Sequence, residues 1–179
     1  MYDLSKFWKC GENVYVSENV EIKRPHLVWL ESHIAIDSYF YCTTNMFVGN
    51  YVHIAPMVSI IGGADASFVM GNFTTIAIGC RIICATDEYL GEGLVSPVIP
   101  NQYRDRVINL PVTLEEYSAL ASNVVVIPGV TLGEGAVVGA NSYVNRDIPA
   151  WEIWAGSPAK FIRKRKRDRM IKFGAEVLR

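Results

Sequence analysis

Cysteine is sparse in this chain, and what its arrangement lacks narrows the field. Cys10, Cys42, Cys80 and Cys84 form no C-x-x-C pair and show no metal-ligand spacing. With no secretory leader in sight, that argues against a disulfide framework and for buried or idle thiols. Long apolar runs are missing too: none approaches the roughly 20 residues that span a bilayer. The opening stretch "MYDLSKFWKC" lacks a basic segment followed by an apolar h-region. A cytoplasmic protein with no membrane insertion is the expectation. Net charge is nearly absent as well, at −1, but it is unevenly spread: residues 1–159 hold 8 basic and 16 acidic residues, residues 160–179 hold 9 and 2. Only the tail is strongly basic.

Apolar residues are plentiful, at half of 179 residues, enough for one domain with a sizeable core. Their spacing is the informative part. In "GNYVHIAPMVSI" (49–60) apolar residues return at intervals of four and two, which is neither the 3.6 period of a helix nor the 2.0 of a simple strand. Counting every sixth residue gives Leu30, Ile36, Cys42, Val48, Ile54 and Ile60, then Met70, Ile76 and Ile82 after a slip of four, then Leu114, Leu120, Val126, Leu132, Val138 and Val144. A second inward series runs Ile34, Phe40, Met46, Val52 and Val58, and shrinks to Thr74, Cys80, Thr86, Ser118, Val124, Val130, Ala136 and Ser142. A hexapeptide period predicts a parallel β-helix, whose short strands bury their apolar faces only by stacking coil on coil.

Two interruptions, 61–69 and 87–111, predict protruding loops, where a repeat scaffold commonly carries its binding function. The second mixes Tyr89 and Tyr103 with Arg104 and Arg106. The repeat stops after Trp154, and "KFIRKRKRDRMIKF" reads as a short basic helix. The expected division is therefore a β-helix over 1–159 and a helical tail over 160–179.

Within this repeat, His53 closes the hexapeptide that begins at Val48 and should point outward; imidazole is the usual base near neutral pH. An isolated histidine is also commonly an ordinary hydrogen-bonded residue. Asp87 and Glu88 form a carboxylate pair that suits an ammonium group, which it can attract and orient. The tail cations fit a nucleic acid, a solvated helix face or the phosphates of a small ligand. His53 ends the hexapeptide that starts at Val48, and Asp87 ends the one that starts at Ile82.

The pattern of an aliphatic residue, Gly or Ala, two variable residues and a small residue covers about 12–160. Together with "VVIPGVTLGEGAVVGANSYVNRDIPAWEIWAGSPAKFIRKR" it resembles the hexapeptide-repeat acyltransferases. The resemblance implies an all-β fold: a left-handed parallel β-helix with protruding loops and a short C-terminal helix, an exception to right-handed crossovers. It also implies a homotrimer with active sites between subunits, acetyl-CoA as co-substrate and no metal; with the family's three hexapeptides per triangular coil, His53 and Asp87 are expected on different edges of the prism, meeting only across a subunit boundary. On that resemblance Lys160, Arg163 and Lys164 receive the phosphates of coenzyme A, and the backbone amides of Ala121 and Ala140 hold its pantetheine arm and thioester.

Sugar O-acetyltransferases of this family carry a histidine in the segment that aligns with "ICATDEYLGEG", which here has none. The combination "VHIAP…SIIGG…ATDEY…PVIPNQYR" is most similar to bacterial N-acetyltransferases of dTDP-3-amino-3,6-dideoxyhexoses (glucose or galactose) used in O-antigen or surface glycans. The expected roles are His53 and Asp87 as catalytic residues, with Glu88, Tyr89, Tyr41 and Asn45 binding the sugar nucleotide. A sugar O-acetyltransferase and a non-catalytic scaffold are the alternatives. The zinc-dependent γ-type carbonic anhydrases share the fold, but His26, His33 and His53 do not reproduce their closely spaced pair.

Overall fold

Each hexapeptide supplies one two- to four-residue strand, too short to stand alone, and the corners between strands turn the chain through three sides of a prism. A computed structural model describes residues 2–178. Three sheets form the sides. The first stacks Lys9–Cys10, Val28–Leu30, Asn45–Val48, Ser67–Met70, Val112–Leu114 and Thr131–Leu132. The second stacks Val14–Val16, Ile34–Ile36, Val52–Ile54, Thr75–Ile76, Ala119–Leu120, Val137–Val138, Glu152–Ala155 and Lys160–Lys164. The third stacks Glu21–Ile22, Tyr41–Cys42, Ser59–Ile61, Arg81–Ile83, Val125–Val126 and Tyr143–Val144. Pairing between coils is parallel, as the repeat requires: Val28 lies beside Met46, Ile34 beside Val52, Tyr41 beside Ser59.

All fifteen sixth-residue anchors are at most 1% exposed, so the period read in the sequence is the core. The second series points inward as well, with one correction. Thr86 is only half-buried, and Cys84 takes the inward place. The chain leaves the prism there: Ala85–Asp87 pairs antiparallel with Val107–Asn109, forming the neck of a hairpin that projects between two coils. Register across the insertion is kept, with Phe68 beside Val112 and Ile76 beside Leu120.

One edge of the prism carries a stack of rings. His33, Tyr51, Phe73, Tyr117 and Trp151 all hold φ between 57° and 61°, and neighbouring centroids lie 4.4 to 6.0 Å apart. A left-handed backbone costs about 1–2 kcal/mol per non-glycine residue. Ring pairs contribute about 0.5–1.5 kcal/mol beyond their buried area, so the ladder offsets much of the corner's strain.

The tail corrects a second expectation. Lys160–Lys164 is not helical but an edge strand, antiparallel to Glu152–Ala155; the helix runs Asp168–Val177. An edge position tolerates cations, whose charge discourages further pairing, and Phe161 and Ile162 favour the extended form. Between strand and helix, Arg165 donates to the carbonyls of Tyr117 (2.8 Å) and Gly135 (2.9 Å), fastening the tail to the ring-bearing edge. Among the described residues no helix is long and apolar enough to cross a membrane.

Candidate functional site

The hairpin neck positions the most distinctive polar group of the chain. Asp87 closes the strand Ala85–Asp87, its side chain 14% exposed, and its Oδ1 is buried without a hydrogen bond among the described residues. The Arg104 Nη2 lies 3.7 Å from that oxygen, beyond hydrogen-bond range, and the Arg104 Nε is likewise buried and unpartnered. Both border a cleft of about 420 Å³ whose other walls include Ile61, Gly63, Ile83, Tyr89 and Pro97. The two groups stand at ion-pair distance without a hydrogen bond between them, so a polar ligand group in the cleft has both a carboxylate and a guanidinium to meet.

The loop holding this arrangement is organised by Asp105, a buried acid that carries no motif or spacing signal in the sequence. It is 4% exposed. Its carboxylate accepts from the backbone amides of Tyr89 and Arg106, each at 2.9 Å, and its own amide donates to Leu94 at 3.0 Å. Two cations, Arg104 and Arg106, flank it in sequence. Arg104 turns to Asp87 and Arg106 to Glu88, at 3.7 Å. The carboxylate pair expected from sequence is therefore split. Asp87 lines the cleft, while Glu88 sits with exposed Arg106 because successive side chains of an extended segment face opposite ways. Tyr89 lines the cleft with a largely exposed ring, and its hydroxyl accepts from Thr86 at 3.4 Å.

His53 points outward from the second side, as its phase requires, with half its side chain exposed. Its cross-strand neighbours are Ala35 and Thr75. Its Nε2 lies 2.8 Å from Asp37 Oδ2, a partner sixteen residues earlier that the hexapeptide pattern does not mark. Within one chain His53 does not reach the Asp87 cleft; it lines a separate shallow cleft of about 620 Å³ with Tyr15, Tyr51 and Phe73.

The remaining expected residues are dispersed. Asn45 lies on the first side in a cleft with Trp8, His26, Leu27 and Trp29. Tyr41 is half-buried on the third side, between Glu21 and Ser59. The histidines are separated as well: His33 stacks on Tyr51, His26 lies by Trp8, and His53 faces Asp37.

At the C-terminal end Lys160, Arg163 and Lys164 are exposed. Lys164 bonds Glu152 at 2.5 Å; with the Trp154 indole, that contact holds the Glu152 carboxyl below its usual range. A cleft of about 740 Å³ joins Trp151 to Lys164, Arg165, Lys166, Arg167 and Arg169. One expectation fails here. The Ala121 amide donates to the Val138 carbonyl at 2.9 Å, and an amide has one proton, so it has none left for a thioester. Ala140, exposed at a corner, makes no such backbone bond among the described residues.

No protein-family model matches the chain. Individual relatives do. The dTDP-4-amino-4,6-dideoxy-D-glucose acyltransferase of Escherichia coli is 27% identical over 164 residues, 90% of this chain and 84% of the relative. WbbJ of Escherichia coli K12, a putative lipopolysaccharide biosynthesis O-acetyl transferase, is 35% identical over 125 residues, 67% of this chain and 58% of that protein. Among solved structures, AntD, an N-acyltransferase from Bacillus cereus in complex with dTDP and 3-hydroxybutyryl-CoA, superposes with a TM-score of 0.92 at 30% identity, covering 97% of this chain and 91% of AntD. With that identity carried over nearly the whole length of both proteins on one coiled prism, the chain belongs to the hexapeptide-repeat acyltransferases.

Proposed function

We propose that the chain transfers an acetyl group from acetyl-CoA to the amine of a dTDP-linked amino-dideoxyhexose. The observation that carries this reading is Asp87, which lines the hairpin cleft beside Arg104 with an Oδ1 that makes no hydrogen bond among the described residues. An ammonium group is the natural partner for it, and a neutral hydroxyl is a poorer one. An AntD complex contains dTDP-4-amino-4,6-dideoxyglucose and coenzyme A, which supports the same class of acceptor. The resemblance to 3-amino enzymes favours an amine at C3. The Escherichia coli relative is named for a 4-amino sugar and an AntD complex contains one, so faster turnover of the 4-amino sugar is expected.

In this reading Asp87 draws in the ammonium form. Once the ammonium has given one proton to solvent, the neutral amine attacks the thioester carbon, the C–S bond breaks, and the sulfur leaves as thiolate. His53 takes the proton the nitrogen loses. The Ala140 amide faces the developing oxyanion, and Lys160, Arg163 and Lys164 hold the coenzyme phosphates. Because His53 and Asp87 occupy different sides of one prism, each site lies between two subunits of a homotrimer.

Thiol release from acetyl-CoA tests the proposal, using dTDP-linked 3-amino and 4-amino sugars and their hydroxyl counterparts. Turnover confined to amino sugars supports it. Turnover confined to hydroxyl acceptors would replace it with the O-acetyl reading, which the WbbJ similarity favours; an O-antigen or other surface-glycan role accords with either.

A further inference from the structure

His53 and Asp37 are held together by the coil itself. Asp37 is the first residue after the strand Ile34–Ile36, and its amide donates to the Ile54 carbonyl at 2.9 Å, so its backbone is pinned beside the strand that carries His53. The Thr75 hydroxyl donates to the His53 carbonyl at 3.3 Å from the other side. The imidazole thus meets the carboxylate at 2.8 Å from two backbones pinned by the coil, with both side chains partly exposed.

The contacting atom matters. An ionised carboxylate only accepts, so the hydrogen in the bond between His53 Nε2 and Asp37 Oδ2 sits on Nε2. When the ring is neutral, its lone pair is then on Nδ1. Among the described residues no hydrogen bond occupies Nδ1. We infer that Asp37 is the positioning residue for His53 and sets its tautomer, so that Nδ1 is the atom that takes the proton of the attacking amine. This rests on the reading of His53 given above. In the step, the N–H bond of the adduct breaks, its electron pair stays on nitrogen, and the proton joins the Nδ1 lone pair while Nε2 stays bonded to Asp37. The imidazolium then returns the proton to the departing thiolate, which closes the balance with free coenzyme A thiol.

With only three histidines in the chain, long-range ¹H–¹⁵N spectra of ¹⁵N-histidine-labelled protein resolve each ring. The expected result is an Nε2–H tautomer for His53 in the wild-type protein and a shift toward the mixed tautomers of free imidazole in Asp37→Ala. Asp37→Asn supplies a second variant of nearly unchanged shape. Asp37→Ala should lower kcat about tenfold with KM within about twofold, and the double variant Asp37→Ala/His53→Ala should be no slower than His53→Ala alone. An Nδ1–H tautomer in the wild type overturns the inference. So does an Asp37→Ala enzyme of full activity beside a crippled His53→Ala. Full activity of His53→Ala overturns the role of His53 itself, and the catalytic part of this inference with it, while the tautomer spectra still report whether Asp37 orients the ring.

Discussion

The ring of Tyr117 fills the space that a β-carbon at Gly174 would need. Gly174 is the buried residue of the terminal helix, and Tyr117 is held between Phe73 and Trp151 in the ring ladder, so neither side has room to give. Replacing a mid-helix glycine by alanine ordinarily favours a helix by about 1 kcal/mol. Here the sign should reverse, with overpacking costing about 1–3 kcal/mol. Gly174→Ala is expected to undock residues 168–177, read as faster amide exchange confined to that segment. Unchanged or slower exchange would mean that the helix does not rest on the ladder.

Ser118 gives the opposite expectation. It is fully buried, at an inward position, and its hydroxyl finds no partner among the described residues. Ser118→Ala removes a stranded polar group while keeping the small size the corner needs. A gain of about 1 kcal/mol is expected, measured as a raised midpoint in urea at unchanged slope. A loss of stability would show that the hydroxyl is satisfied in solution.

The core was legible because a chain that turns an apolar side chain inward at every sixth residue can bury that series only by coiling short strands on one another, and Leu30 through Val144 all obey the period. The ring ladder was not, because the insertions interrupt the spacing between Phe73 and Tyr117 and because corner side chains lie outside the inward count. The break in phase placed the chain's departure from the prism at 87, slightly late, since the hairpin neck starts at Ala85; hence Thr86 for Cys84. At the tail, charge read as helix, whereas pairing with Glu152–Ala155 determined the strand. His53 and Asp87 were legible as outward polar residues on a repeat. Their partners Asp37 and Arg104, sixteen and seventeen residues away, had no spacing signature of their own.

Burial decides the order in which the thiols react. It pushes Cys42 up to about 11 and Cys84 up to about 12, and half-buried Cys10 upward as well. The thiolate is the nucleophile, so these raised values leave Cys42 and Cys84 protonated and inert until the pH climbs beyond about 11. With a thiol reagent at about pH 8, near the ordinary thiol value, Cys10 should label first. Cys42 and Cys84 should wait for denaturant, and raising the pH by about one unit should not free them. Prompt labelling of Cys84 in native buffer would reveal opening of the prism where the hairpin departs.

Asp87→Asn keeps the shape of the side chain and removes the charge that an ammonium would meet. A hydrogen bond to a charged group contributes about 1.5–3 kcal/mol, so kcat/KM for the amino sugar should fall at least about tenfold. The KM of acetyl-CoA should stay constant. An unchanged KM for the amine would remove Asp87 from the acceptor site and leave Arg104 to be tested in its place.

Separation of His53 and Asp87 on one prism makes subunit mixing informative. His53→Ala and Asp87→Asn, each impaired alone, are unfolded together and refolded in equal amounts. If one subunit supplies the histidine and its neighbour the aspartate, every mixed three-membered ring contains one interface with both native residues. Random assembly then restores about one quarter of wild-type activity for a closed C3 ring. If each chain used its own pair, mixing would restore nothing, since no subunit would hold both. Recovery therefore reports the geometry of the site and the closure of the ring in a single number. Its absence, with trimers present by sedimentation, would require His53 or Asp87 to act outside the shared cleft.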